Sequence, residues 1–333
     1  MRILSNSDYK LFERLVSLSQ KEMKRALTKY LKSTYEEVII DKDYLVGIGN
    51  IPIALVAHMD TVFKFPVSNL YYDPKKDVLW SPEGLGADDR AGIFAILKII
   101  QNGYRPSVIF TTDEELGGIG ASMLAELDPC PIPELKYLIE LDRRGTNDCV
   151  FYDCYCPEFV DYVESFGFCE RWGSFSDISF LMPKWKVCGV NLSVGYEDEH
   201  SYSEILSVGP LFDTIRKVEN MLSVETIPDF EYNDLNVITK KACVNDTTEE
   251  EYYIYNQCCE KCKKLFFEHE LFPVKGLNGE QKMYCPDCLI EENVAWCEEC
   301  QEAFEVEKNS NVKICKECAE NLCMKTSKNN LNQ

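Results

Sequence analysis

Ile53-Ala54-Leu55-Val56-Ala57-His58-Met59-Asp60 is an apolar run that stops on a histidine and an aspartate. Two further stretches repeat that design. Ser107-Val108-Ile109-Phe110-Thr111-Thr112 runs into Asp113-Glu114-Glu115, and Tyr137-Leu138-Ile139-Glu140-Leu141 runs into Asp142. Apolar, β-branched runs of this length without polar alternation are what strands buried on both faces look like. Helical segments over 89–100 and 120–127 lie between them, and strand–helix alternation predicts a largely parallel sheet covered on both faces. In such sheets ligands sit beyond the carboxyl ends of the strands. A polar residue often marks no more than the end of a strand. Three ends carrying only metal-ligand chemistry are poorly explained that way.

Outward from these runs, residues 8–32 read as one amphipathic helix, with Leu11, Leu15, Leu18, Ala26, Tyr30 and Leu31 near a 3.6-residue period. A short extended pair follows, with Ile48-Gly49-Asn50 as its turn. A fourth strand, 187–194, leads into Glu197-Asp198-Glu199-His200, and a closing helix over 210–222 repeats Leu211, Ile215, Val218 and Leu222. The expected fold class is α/β, a three-layer α/β/α sandwich with a mostly parallel mixed sheet.

A chain of 333 residues, 45% hydrophobic and 12% aromatic, has the composition of a globular protein with a core. Its formal charge of −21 argues against nucleic acid, since phosphate binding needs a surplus of Lys and Arg, and no basic stripe stands out along the chain. No apolar stretch of signal-peptide length opens the sequence, and no run approaches the roughly 20 apolar residues of a membrane span. The expectation is a cytoplasmic protein without a membrane partner. Seventeen cysteines in a reducing compartment are not a disulfide framework.

Zinc takes imidazole nitrogen and carboxylate oxygen, and a catalytic site keeps a position open for water. Two metals a few ångströms apart can share a bridging carboxylate. Such a pair needs two His, a bridging Asp, two further carboxylates and a separate carboxylate as base. Five short motifs supply that set: His58-Met59-Asp60, Gly86-Ala87-Asp88-Asp89-Arg90-Ala91-Gly92, Asp113-Glu114-Glu115-Leu116-Gly117-Gly118, Glu140-Leu141-Asp142-Arg143 and Glu199-His200-Ser201-Tyr202-Ser203-Glu204. Each is weak alone. All five in order, each at a strand end, form a strong signal.

In that order and with those flanks, the chain up to about residue 222 resembles the co-catalytic metallopeptidases of clan MH, among them peptidase T-like tripeptidases, glutamyl aminopeptidases and related deacylases. The resemblance implies a zinc-exopeptidase-like fold. It implies that His58 and Asp142 hold one metal, Glu115 and His200 the other, and that Asp88 bridges them. Glu114 becomes the general base, and Asp60 the group that hydrogen-bonds the far nitrogen of His58. A cis peptide is implied between Asp88 and Asp89. Asp89 and Glu204 are either supports of the ligands or structural. Ser176-Asp177 is similar to a Ser-Asp element that some relatives place near substrate, or else a helix cap. Many clan members insert a lid or dimerisation domain before the last His, but only 57 residues separate Asp142 from His200 here. That implies the lidless aminopeptidase branch. Arg143 and Arg144 either bind an acidic group or make structural salt bridges.

Cys259-x-x-Cys262 with Cys285-x-x-Cys288, and Cys297-x-x-Cys300 with Cys315-x-x-Cys318, are two sets of paired knuckles. Paired C-x-x-C presents four thiolates to one tetrahedral zinc, so two structural zincs are expected in a double ribbon, with Cys258, Cys323 and His269 as spare ligands. Cys130, Cys149, Cys154, Cys156, Cys169 and Cys188 read as small buried apolar residues. The domain expectation is a catalytic domain over 1–224, an acidic linker or strap over 225–256, the ribbons over 257–323, and a disordered tail over 324–333. The expected activity is aminopeptidase-like hydrolysis of small peptides or amides with two catalytic zincs, for which manganese or cobalt are suitable substitutes. Deacylation at the same site, and a non-enzymatic protein-binding role for the ribbons, are the rivals. A protein partner is expected through the ribbons.

Overall fold

In the computed structural model, which describes residues 4–234, 257–261, 265–266, 271–276, 280–285, 288–289, 294–297, 303–306, 313 and 319, two serines start the first two helices. Ser5 Oγ accepts from the Asp8 amide at 3.1 Å and opens α1 (Asn6–Val16). Ser19 opens α2 (Gln20–Thr34) with a reciprocal cap. Its amide donates to the Glu22 carboxylate at 3.0 Å, and the Glu22 amide returns to Ser19 Oγ at 3.4 Å. The single helix expected over 8–32 is therefore two. Leu18 in the break is buried and continues the apolar stripe, which hides the break from a periodicity reading.

β1 (Glu37–Ile40) and β2 (Tyr44–Ile48) form the extended pair, but their turn lies at 41–43 and not at Ile48-Gly49-Asn50. The latter links β2 to β3 (Ile51–His58), and β6 (Pro106–Thr111) lies between those two strands. Gly49 is needed at this crossing, since a Cβ there would meet the Arg105 carbonyl at 2.2 Å.

The remaining elements of this part are β4 (Tyr71–Asp73), β5 (Val78–Trp80), α3 (Ala87–Gln101), α4 (Ile119–Ala125), β7 (Tyr137–Arg143), β8 (Asp148–Val150), α5 (Pro157–Glu164) and β9 (Cys169–Glu170). They continue through α6 (Ile178–Trp185), β10 (Cys188–Ser193), β11 (Tyr196–Glu197), β12 (Ile205–Ser207) and α7 (Val208–Leu222). The main sheet runs β1-β2-β6-β3-β7-β10-β8-β9. Its centre, β6-β3-β7-β10, is parallel and its flanks contribute antiparallel pairs. Helix α3 lies on β3 and β7 beside α1 and α7, while α4 and α6 pack together over β2, β6, β7 and β10. This is the expected three-layer α/β sandwich with a mixed sheet. Leu55, Val56, Val108, Ile109, Leu138 and Ile139 are wholly buried, as strands covered on both faces require. A small antiparallel sheet, β11-β12-β5-β4, stands beside it.

By compactness the chain divides into 1–245 and 246–333. In the first unit the stretch after α7 lies against the sheet layer. Phe230 stacks into an aromatic cluster, with its ring 4.8 Å from Phe159 and 5.3 Å from Tyr162, and the Tyr155 amide donates to Asn233 at 2.8 Å. Residues 235–256 and the tail 324–333 lie outside the described residues. Cys149, Cys154, Cys156 and Cys188 are buried as expected, but Cys130 is half-buried and Cys169 is exposed. Cys169 lies on β9, the last strand of the sheet among the described residues.

In the second unit β13 (Gln257–Cys258) pairs with β14 (Leu265–Phe266). A four-stranded sheet combines β15 (Phe272–Lys275), β16 (Gln281–Tyr284), β17 (Val294–Trp296) and β18 (Ala303–Glu305) in the order β16-β15-β18-β17. No helix among the described residues is long and apolar enough to cross a membrane.

Candidate metal centre

The parallel strands end level with one another. His58 on β3 is opposite Thr111 on β6, and Val56 two residues earlier is opposite Glu140 on β7. Parallel register therefore puts His58, Asp142 and the Asp113-Glu114-Glu115 turn on one edge of the sheet. Asp88 arrives from the start of α3, where Gly86 takes φ +62° and the Asp88–Asp89 peptide is cis, as the resemblance implied. His200 arrives from the loop between β11 and β12, itself at φ +62°, a left-handed conformation that costs a residue with a Cβ.

These five residues converge as two triads that share Asp88. In one, ligand atoms of His58, Asp88 and Asp142 lie within 4.8 Å of one another, and in the other those of Asp88, Glu115 and His200 do. His58 Nε2 lies 3.0 Å from Asp88 Oδ1 and 3.7 Å from Asp142 Oδ1. His200 Nε2 lies 3.3 Å from Asp88 Oδ2 and 3.0 Å from Glu115 Oε1. Each oxygen of Asp88 thus faces a different imidazole. Glu114 stands alongside, its Oε2 4.0 Å from His58 Nε2.

Asp60 performs the task implied for it and a second one. Its Oδ1 is 3.2 Å from His58 Nδ1, and its two oxygens accept the Glu114 and Glu115 amides, each at 3.1 Å. One carboxylate therefore fixes the imidazole and the turn that carries Glu114 and Glu115. Asp89 accepts the His58 amide at 3.2 Å and the Gly92 amide at 2.9 Å, so it anchors backbone and contributes to neither triad. A Cβ on Gly92 would meet the Leu141 carbonyl at 2.1 Å, so helix and strand approach closely enough here to bring Asp88 beside Asp142. Glu204 caps α3 from outside, accepting the Gly86 amide at 2.6 Å and the Asp88 amide at 3.0 Å.

Asp142 is held by three further side chains, of which the sequence marked only Ser176. Tyr196 donates to its Oδ1 at 3.0 Å and Ser176 to its Oδ2 at 3.2 Å. Asn191 brackets its backbone, accepting the Asp142 amide and donating to the Asp142 carbonyl, both at 2.9 Å, where β10 shifts register. Asp177 makes no cap hydrogen bond on α6; it is buried and receives the Thr111 hydroxyl. Arg144 pairs with Glu199 at 3.1 Å, and Arg143 donates to the Trp172 carbonyl at 3.2 Å, so both meet structural partners.

The electrostatics fit a cation site. Burial, reinforced by the Asp88 charge, pushes Asp142 up to about 6 and Glu115 up to about 7. Burial and the like charges of Asp142, Asp177 and Asp88 push Glu114 up to about 9. Hydrogen bonding to Asp88 raises His200 to about 9. Burial disfavours charge on His58 most strongly, yet Asp142, Asp60 and Asp88 hold its pKa well above the ordinary value. Every one of these shifts has the same cause, buried carboxylates crowded around two imidazoles, and divalent cations relieve such crowding. A cavity of about 470 Å³ opens beside Asp60 and Glu115, lined by Val62, Phe63, Phe65, Leu85 and Leu116 among others. Tyr202, Phe65 and Leu116 are each more than 70% exposed around it.

In the second unit, sulfurs of Cys259, Cys285 and Cys288 lie within 4.8 Å of one another, and the Cys285 amide donates to Cys259 Sγ at 3.4 Å. Cys297 is buried beside Phe304. Cys262, Cys300, Cys315, Cys318, Cys323 and His269 lie outside the described residues.

No protein-family model matches this chain, and no curated protein matches it in sequence. Solved structures do. A tripeptidase from Staphylococcus aureus subsp. aureus mu50 superimposes with a TM-score of 0.54 at 14% identity, covering 67% of this chain and 99% of that one. A TET aminopeptidase from the marine sediment archaeon Thaumarchaeota archaeon SCGC AB-539-E09 gives 0.52 at 15%, over 71% and 99%. Aminopeptidase PepT from Bacillus cereus ATCC 10987 gives 0.51 at 17%, over 65% and 97%. At these identities the likeness is one of fold. The first unit shares the α/β fold of these structures.

Proposed function

We propose that the first unit is a metal-dependent hydrolase of peptide or amide bonds in small substrates, of the aminopeptidase kind. One observation carries the reading: two His-carboxylate triads share Asp88 at the carboxyl edge of a parallel sheet, with Glu114 beside them and ligand to neither. His58, Asp88 and Asp142 would hold one cation and Asp88, Glu115 and His200 the other. Zinc suits this donor set, and manganese or cobalt would suit it too. Bound there, such ions polarise a scissile carbonyl and make water nucleophilic at neutral pH.

The chain's own groups perform the rest. Glu114 takes the proton from the attacking water and returns it to the leaving nitrogen. Asp60 keeps the Glu114 backbone and the His58 ring in fixed relation, so base and ligand do not drift apart. The apolar cavity beside Glu115 excludes water around the substrate's side chain. Between Asp142 and His200 the described chain forms only β8, α5, β9, α6, β10 and β11, which supports a lidless enzyme. Arg144 is occupied by Glu199, which leaves a carboxypeptidase reading without a carboxylate clamp there.

For the second unit we read a structural zinc on Cys259, Cys285 and Cys288 with Cys262. The Cys297, Cys300, Cys315 and Cys318 set would hold another, and the ribbons would serve a protein partner. The test of the hydrolase is Glu114→Gln. It should abolish turnover of aminoacyl amides while metal content stays at the wild-type level; undiminished turnover would remove the assignment. A matched series of N-acylated substrates, left intact by an aminopeptidase, separates it from a deacylase.

A further inference from the structure

α2 starts in the wall of the cavity and leads away from it as a row of cations. Ser19 and Gln20 line the cavity. Gln20 donates to Asp113 Oδ1 at 2.8 Å and accepts the Asp113 amide at 3.1 Å, one residue before the proposed base. Beyond it, Lys21, Lys24, Arg25, Thr28, Lys29 and Lys32 recur at steps of three and four and so share one helix face. Met23, Leu27 and Leu31 bury the other face. With Lys42 from the β1–β2 turn, whose carbonyl takes the Lys24 ammonium, the cationic face lines an open groove of about 610 Å³. The absence of a basic stripe expected from the sequence is thereby corrected. Interleaved apolar residues concealed the stripe until the helix aligned it.

In a chain of formal charge −21 this face is a local inversion of sign. Asp41, Asp43 and Asp113 lie close enough to act on Lys24. Asp43 lies 3.3 Å from Lys42, and Glu22 turns back to Ser19. Lys21, Arg25, Lys29 and Lys32 make no ion pair among the described residues. An acidic ligand is repelled by most of the surface and drawn to this groove, because local charge of one sign focuses approach.

We infer that the α2 face holds the acidic portion of an extended peptide substrate whose scissile bond lies at the proposed metal site. This deepens the hydrolase reading and rests on it. At about 1.5 Å per residue the row from Lys21 to Lys32 spans roughly 16 Å, the reach of about five extended peptide residues. A peptide is favoured over a nucleic acid by two features. The row is continuous with the cavity wall through Ser19 and Gln20, and among the described residues no aromatic side chain lines the groove to stack a base.

The experiment uses the full chain carrying Glu114→Gln, so that peptides stay intact. The probes carry fluorescein at the carboxyl end: an acidic peptide of two alanines followed by a run of glutamates, its neutral counterpart with glutamines in their place, and a short oligothymidylate. Fluorescence anisotropy should show the acidic peptide binding about tenfold more tightly than the neutral one at low salt. The advantage should vanish at high salt and in the added quadruple variant Lys21→Gln, Arg25→Gln, Lys29→Gln, Lys32→Gln. With Glu114 restored, the ratio of kcat/KM for the acidic over the neutral peptide should fall from about ten towards one in the quadruple variant. Equal binding of the two peptides, an advantage that survives the quadruple change, or tighter stripe-dependent binding of the oligothymidylate would each overturn the inference. Stripe-dependent peptide binding without any hydrolysis by the wild-type chain would refute the hydrolase reading alone and uphold the acidic-peptide surface.

Discussion

The two clusters of metal-ligand side chains are built in opposite ways. The His-carboxylate cluster draws its residues from five segments and sets them on the edge of a buried sheet, where Asp60, Glu204, Tyr196, Ser176 and Asn191 orient them. The thiolate cluster brings together Cys259 and Cys285, which directly follow the short strands β13 and β16, and Cys288, with Leu271, Val274, Tyr284 and Ala303 as buried apolar company among the described residues. In the first unit a core stands regardless of any ion, and the proposed ions would add reactivity. In the second the proposed ion would take the place of a core, as small domains require.

The comparison can be broken at several points. The largest effect is expected for Cys259→Ser with Cys285→Ser. Structural zinc contributes on the order of 10 kcal/mol to the folding of such modules, so the second unit should lose its protection from amide hydrogen exchange. The first unit should keep its own protection. Loss of protection in both would show that the first unit also depends on the thiolates.

Glu114→Gln comes next, with turnover expected to fall by about 10²- to 10⁴-fold and thermal stability unchanged, measured by steady-state kinetics beside a melting curve. Asp60→Asn should cost about 10- to 100-fold in metal affinity or activity, because it disturbs His58 and the Glu114-Glu115 turn together. Metal titration of the purified variant reads this directly, and unaltered affinity would remove the positioning role of Asp60. The smallest effect is expected for Ser19→Ala, which deletes one half of the α2 cap and should lower stability by about 1 kcal/mol in urea unfolding.

What was legible in the sequence follows from how each feature is encoded. Strands β3, β6, β7 and β10 were legible because burial on both faces leaves uninterrupted apolar runs, and the candidate ligands His58, Glu115 and Asp142 were legible because they sit at or just past the ends of those runs, whereas Asp88 opens α3 and His200 lies between β11 and β12. The split between α1 and α2 was not, since Leu18 carries the apolar period through a break that only the Ser19–Glu22 cap defines. The β1–β2 turn was misplaced because Gly49 looks like turn chemistry, although it serves the close passage of β2 and β3 by Arg105. Tyr196 and Asn191 belong to the site through tertiary approach alone, and their local sequence carries no mark of it, whereas the Ser176-Asp177 element was marked by resemblance. Asp177 looked equally like a cap, and only its burial against Thr111 decides otherwise.

The central claim is that Asp88 is shared by two cations in the first unit while the thiolates hold their own. Metal content of purified Asp88→Ala, compared with wild type and Glu114→Gln, tests it most directly. The account predicts about four divalent ions per wild-type chain and per Glu114→Gln chain, and about two in Asp88→Ala, both ions of the His-carboxylate site being lost together. Wild-type metal content in Asp88→Ala would contradict it.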